Sequence, residues 1–194
     1  HECDRTSSLL DSLDQLREYR QLIEGVQEAG RPIAFMDEGE FSFRDLEAAR
    51  LLGNFLALAC PDPKKVVQGM QELLVNAVEH GNLGISYPDK SNLIMDGTWH
   101  DEVKRRLSMP EYRDRTVRVS FERLPQALRF TIRDQGQGFD WDNYLDFSPE
   151  RAFDLHGRGI AMARKLSFDR LEYQGNGNTV VAIVELLGTL PADA

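Results

Sequence analysis

The chain has 194 residues, 41% of them hydrophobic and 28% charged, with a formal net charge of −9. That composition suits one compact domain with a small appendage and rules out compositional disorder. The acidic balance is expected to repel duplex nucleic acid, and no apolar run approaches the roughly 20 residues of a membrane helix. Neither nucleic acid nor membrane is therefore expected as a partner.

Cys3 and Cys60 stand far apart and match no metal-ligand spacing, so a reducing cytoplasm is expected. The start, His1-Glu2-Cys3-Asp4, is polar and acidic, unlike a secretion signal. Position 1 is not Met, so the expectation is a piece of a longer protein with a regulatory domain upstream.

Residues 6–29 read as one helix, with Leu9, Leu13, Leu16, Ile23 and Val26 in a heptad-like stripe that Arg20 interrupts. It is either a signalling or dimerising coiled coil or a helix packed on the main domain. Gly30-Arg31-Pro32 breaks it, which sets the domains at 1–30 and 31–194. Short strands are predicted at 33–36 and 41–43, joined by the acidic turn Asp37-Glu38-Gly39-Glu40. Helical periodicity covers 45–59. A second helix runs from Pro63 to about His80, with Asp62 as its cap and Gly81 as its stop. Residues 84–115 are polar and charge-balanced, hold a helix near 98–108, and look like an insertion.

Two strands follow at 116–122 and 127–133, then a glycine-bearing stretch and a helix over 159–166. Strands 168–173 and 179–187 close the chain across a turn at 174–178. The plan is an α+β, two-layer sandwich: a mixed, largely antiparallel sheet with helices on one face.

Four features could carry chemistry. On the helix 63–80 apolar residues cover most of the circumference, leaving a narrow polar wedge in which Glu72 and Asn76 stand one turn apart. The wedge faces solvent or a cleft. Asp134-Gln135-Gly136-Gln137-Gly138-Phe139, directly after a strand, is either a glycine-rich turn or a place where backbone approaches a ligand closely. His156-Gly157-Arg158-Gly159 opens a helix, where free N–H groups suit phosphate. Thr179 starts the last strand.

In this order, over roughly residues 40–187, the sequence resembles the GHKL ATPase superfamily, whose nucleotide site is the Bergerat fold. Glu72 to Asn82 resembles its N box, Asp134 to Asp140 its first glycine box, and His156 to Ile160 its second. Asn76-Ala77-Val78-Glu79-His80-Gly81 and the short loop of about 140–156 are most similar to the anti-sigma-factor serine kinases. The resemblance implies ATP and Mg²⁺. Phosphoryl-transfer chemistry gives the same roles as the resemblance: Asn76 as a hard-oxygen Mg²⁺ ligand and Glu72 as general base. Asp134 is implied to accept from the adenine amino group, with Gly136 and Gly138 near base and sugar. Gly157 and Gly159 are implied to offer N–H groups to the phosphates, with Arg158 as a charge contact. Thr179 is implied to hold Asp134 or a water.

The chain has neither a P-loop nor the HRD and DFG signatures of ordinary protein kinases. The expected partners are an anti-anti-sigma protein as substrate, a sigma factor, and a second copy of the chain. The alternatives are a histidine kinase catalytic domain and a catalytically silent ATP-binding switch. Upstream of the domain only His1 could be a phosphoacceptor, and the proline of the common acceptor motif does not follow it.

Overall fold

The computed structural model describes residues 31–141 and 159–186. The chain divides into two units, His1–Phe35 and Met36–Ala194, so the division falls after Phe35 where the sequence set it after residue 30. The helix expected over 6–29, most of the loop 140–156, and Gly157 and Arg158 lie outside the described residues. The described part of the first unit is a 3₁₀ turn, Arg31–Phe35, and not the predicted strand. Pro32 has no N–H for a ladder and its fixed φ suits a tight turn.

In the second unit, strand β1 (Glu38–Phe43) takes in most of the predicted acidic turn. Helix α1 (Leu46–Ala57) is capped by Asp45, whose Oδ1 accepts from the Ala48 N–H at 2.8 Å. Helix α2 (Pro63–Asn76) starts as its sequence predicts: Asp62 accepts from the N–H groups of Lys64 and Lys65, and Pro63 fills the first turn.

Gly81 does not stop this helix. The chain continues as a π turn, Ala77–Asn82, closed by the Leu83 N–H on the Val78 carbonyl at 2.8 Å. The wider turn accommodates an extra residue and is of the kind often found at functional sites. Two helices then occupy the insertion, α3 (Tyr87–Met95) and α4 (Trp99–Ser108). The sequence predicted only the second. The signal for α3 was present as a capping box, Ser86 with Asp89.

Strands β2 (Val117–Arg123) and β3 (Ala127–Arg133) form a hairpin. Helix α5 (Gly159–Met162) runs into a second π turn, Ala163–Ser167. Strands β4 (Arg170–Gln174) and β5 (Thr179–Glu185) meet across a turn in which Gly175 and Gly177 take positive φ. The sheet order is β1-β2-β3-β5-β4, and every pairing among these strands is antiparallel. The expected mixed character is thus absent among the described strands, because each neighbour is reached by a hairpin or by a return over the sheet.

Strand alternation sends Val117, Val119 and Phe121, then Leu128, Phe130 and Ile132, then Val180, Ala182 and Val184 to one buried face. Each such side chain contributes roughly 1.5–3 kcal/mol by leaving water. The opposite face carries polar pairs such as Arg129 with Glu122, which face each other in register. The result is an α+β fold consistent with that of the GHKL ATPases.

Helix α2 packs on α1 and on the π turn 163–167. Its buried residues are Val66, Gly69, Met70, Leu73 and Leu74, of which Gly69 lies against Ser167 of that turn. Cys60 is buried beside this layer. Burial pushes its thiol up to about 12, against a smaller pull from Arg123, so it remains a protonated core side chain.

A methyl at Gly69 would stand 2.4 Å from the Ser167 Cβ. Gly69→Ala is therefore expected to destabilise the fold by about 1–3 kcal/mol. In urea unfolding this should lower the midpoint and leave the slope unchanged.

Candidate functional site

A cavity of about 550 Å³ opens between α2 with its π turn, the insertion, and the ends of β3, β4 and β5. That size is ordinary for a small-molecule site. Asn76, His80 and Gly81 line it from the helix side. Tyr87, Tyr112 and Arg115 come from the insertion, Asp134, Gly138 and Phe139 from the segment after β3, and Tyr173 and Asn178 from the last hairpin.

At one corner the Asn76 Nδ2 donates to Glu72 Oε1 at 2.9 Å. A helical turn separates the two residues, so this contact follows from their spacing alone. The donated Nδ2 leaves the Asn76 Oδ1 as the hard-oxygen atom on this cavity-lining residue. Gly159 closes against the carboxylate: a Cβ there would lie 1.7 Å from Glu72 Oε1. Glu72, Asn76 and Gly159 are thus brought together as a group.

At the other corner stands Asp134. Its N–H donates to the Asn178 carbonyl at 3.0 Å, and its Oδ1 accepts from the Gly136 N–H at 2.8 Å. Gly81 lies flat against it, since a Cβ at Gly81 would come within 2.4 Å of the Asp134 Cγ. Gly136 in turn lies against the Gly81 carbonyl, where a Cβ would stand at 2.4 Å. Asp134 itself is part of the cavity wall.

Burial pushes the Asp134 carboxyl up to about 6, while the N–H groups of Gly136 and Asp134 and the charge of Arg115 pull the other way. A raised carboxylate lining a cleft is a mark of a functional site.

The glycines do something the sequence did not indicate. Their missing Cβ atoms make room for other parts of the protein. Gly138, at φ +79, lies against the Asn176 carbonyl, where a Cβ would stand at 2.0 Å. The Phe139 N–H donates to that same carbonyl at 2.9 Å, and Asn176 Nδ2 donates to the Gln137 carbonyl at 2.8 Å. The loop after β3 is therefore tied down on the β4–β5 turn.

Thr179 stands apart from the other candidates. It lies in register with Arg133 on the face opposite Val180, its hydroxyl 3.4 Å from Asn178 Oδ1. Asn178 and Val180 form the cavity wall at this point, because strand alternation turns Thr179 away.

The sequence reading missed the aromatic wall. Tyr173 lines the cavity from an edge strand, with Phe139 edge-on at 5.2 Å and Trp141 stacked at 6.2 Å. Burial first, then the charges of Tyr87, Glu72 and Asp134, push its hydroxyl above the ordinary tyrosine range, so it stays protonated. His80 lines the cavity too. Its Nδ1 donates to the Ile85 carbonyl at 2.5 Å and its ring packs on Tyr87 at 4.0 Å.

Residues 106–184 match the family model of the histidine kinase-like ATPase domain. The match spans less than half of the chain. It takes in β2 to β5, Asp134, both described glycines of the first box and Gly159, and it excludes Glu72 and Asn76. No curated protein matches the chain. Over this stretch the chain is similar to ATPase domains, which implies ATP as the ligand.

The raised Asp134 carboxyl has a measurable consequence. From its ordinary value of 3.8 up to about 6 the folded protein holds a proton that the unfolded chain has released. Stability from this group is full below that window, is lost as pH rises through 6, and is flat above. Compared with Asp134→Asn in denaturant titrations, the wild type should lose stability between pH 4 and pH 6 and run parallel from pH 7 upward.

Proposed function

We propose that this chain is an ATP- and Mg²⁺-dependent protein serine/threonine kinase of the anti-sigma type. Its substrate is an anti-anti-sigma protein bearing the acceptor hydroxyl, with a sigma factor as a further partner. It works in the cytoplasm, as a homodimer, behind a regulatory domain.

One observation carries this reading. Asn76, hydrogen-bonded to Glu72, lines the same cavity as Asp134 with its raised carboxyl. The match to histidine kinase-like ATPase domains supports ATP in that cavity. The resemblance of the segment 76–81 supports the anti-sigma class.

In this reading Asp134 Oδ2 accepts from the adenine amino group, and the same carboxylate repels the carbonyl that guanine presents there. Asn76 fits a metal role, since it combines a hard oxygen with a place on the cavity wall, and it would hold Mg²⁺. When bound, the ion neutralises charge across the phosphate oxygens. Glu72 takes the proton from the attacking hydroxyl. Asn76 holds the Glu72 carboxylate in place while it does so.

Glu72→Gln keeps the oxygen that Asn76 bonds and removes the base. It should bind ATP like the wild type and transfer phosphate to the partner about 10²–10⁴-fold more slowly. A wild-type transfer rate in that variant would remove Glu72 from the mechanism. In calorimetric titrations Asn76→Ala should weaken Mg-ATP far more than metal-free ATP. Equal losses would remove Asn76 from the metal site.

A further inference from the structure

The insertion 84–115 has no place in the mechanism above. One fastening reaches Arg44, whose Nη2 donates to the Leu107 carbonyl at 2.5 Å, but four others land on one short stretch of chain. The Ile85 carbonyl takes the His80 Nδ1 hydrogen. Lys90 Nζ pairs at 2.5 Å with the carboxylate of Glu79, a side chain with no exposure. Arg106 Nη1 donates to the Leu83 carbonyl at 2.8 Å, and Arg115 Nη1 to the Asn82 carbonyl at 2.9 Å. Each of these latter contacts joins the insertion to the π turn or to the residue after it.

Asn82 passes the last of these contacts on. It is 1% exposed, and its side-chain Oδ1 accepts from the Gln135 N–H at 2.7 Å. Gln135 follows Asp134. The residue that Arg115 grips therefore holds the backbone next to the cavity carboxylate, while its neighbour Gly81 forms the surface on which that carboxylate lies. Arg115 is itself held, its guanidinium 5.1 Å from the Tyr112 ring. A planar guanidinium stacked on an aromatic ring keeps one orientation in a way that a lysine does not.

We propose that Arg115 is a positioning residue for Asp134, and that through it the insertion sets how sharply the cavity discriminates adenine from guanine. The proposal rests on the reading of the cavity as a nucleotide site. Discrimination by one carboxylate depends on its placement, because a group built to accept one hydrogen bond rejects the wrong base only where it cannot move aside.

The test is calorimetric binding of ADP and GDP, each with Mg²⁺, to the wild type and to Arg115→Met, Arg115→Gln, Arg115→Lys and Arg106→Met. Arg106 fastens the same insertion without touching Asn82, so Arg106→Met reports what loosening the insertion does by itself. The expected result is that Arg115→Met and Arg115→Gln weaken ADP about tenfold, in line with a lost charged hydrogen bond. GDP binding should change little, so the preference for ADP shrinks by a similar factor. Arg115→Lys, unlike Arg115→Gln, retains a charged donor and should recover part of it, and Arg106→Met should keep the wild-type preference.

Equal weakening of ADP and GDP in the Arg115 variants would mark a direct contact to sugar or phosphate and overturn the proposal. So would an unchanged preference, or the same loss of preference in Arg106→Met. Absence of binding by the wild type to either nucleotide would overturn the nucleotide reading itself, and this proposal with it. Should Arg115→Met fail to fold, the smaller Arg115→Gln carries the same comparison.

Discussion

The structure turns on the contact between the Asp134 carboxylate and the bare backbone at Gly81. A carboxylate this close to a main chain needs a residue without a Cβ opposite it. It also needs hydrogen-bond donors around it, since a half-buried charge is costly without them. Gly136 supplies one, and the hydrogen bond from the Asp134 N–H to Asn178 fixes the backbone. The helix on one side of the cavity and the sheet on the other meet at this contact. That is why α2 continues as a π turn where a glycine ordinarily ends a helix: the extra residue carries Gly81 and Asn82 to the end of β3.

Two chemically different carboxylates follow, Asp134 on the cavity wall and Glu72 bonded to the wall residue Asn76. Asp134 sits where burial dominates and its affinity for a proton rises. Glu72 sits against Gly159 with its oxygen bonded by Asn76. In the proposed function the two carboxylates would take separate tasks, one as an acceptor for a base edge and one as a base for a hydroxyl. Tyr173, on the last hairpin, lines the same cavity.

Residues 84–115 contribute to the wall of the site and add no strand to the sheet. It enters after the π turn and returns at β2, and it adds Tyr87, Tyr112 and Arg115 to the cavity wall. The buried Glu79–Lys90 pair is better understood as a means of setting orientation than as a source of stability, because removing two charges from water offsets most of their attraction. What it secures is the placement of α3 beside the cavity.

The hairpins β2–β3 and β4–β5 and the helix starts at Asp45 and Asp62 were legible in the sequence, because alternation, helical period and capping are local and act over a few residues, whereas the predicted pair 33–36 and 41–43 was not formed. So was the Glu72–Asn76 contact, which a single helical turn dictates. The order of the glycine-bearing motifs was enough to indicate an ATPase-like domain. The tertiary structure alone decided that Gly81 continues the helix, that Asn178 and not Thr179 faces the cavity, and that the glycines admit other protein segments. It also decided that residues 84–115 reach Asp134 through Arg115 and Asn82. This last link depends on partners 33 and 53 residues away along the chain, and no local pattern encodes a contact whose two halves lie so far apart.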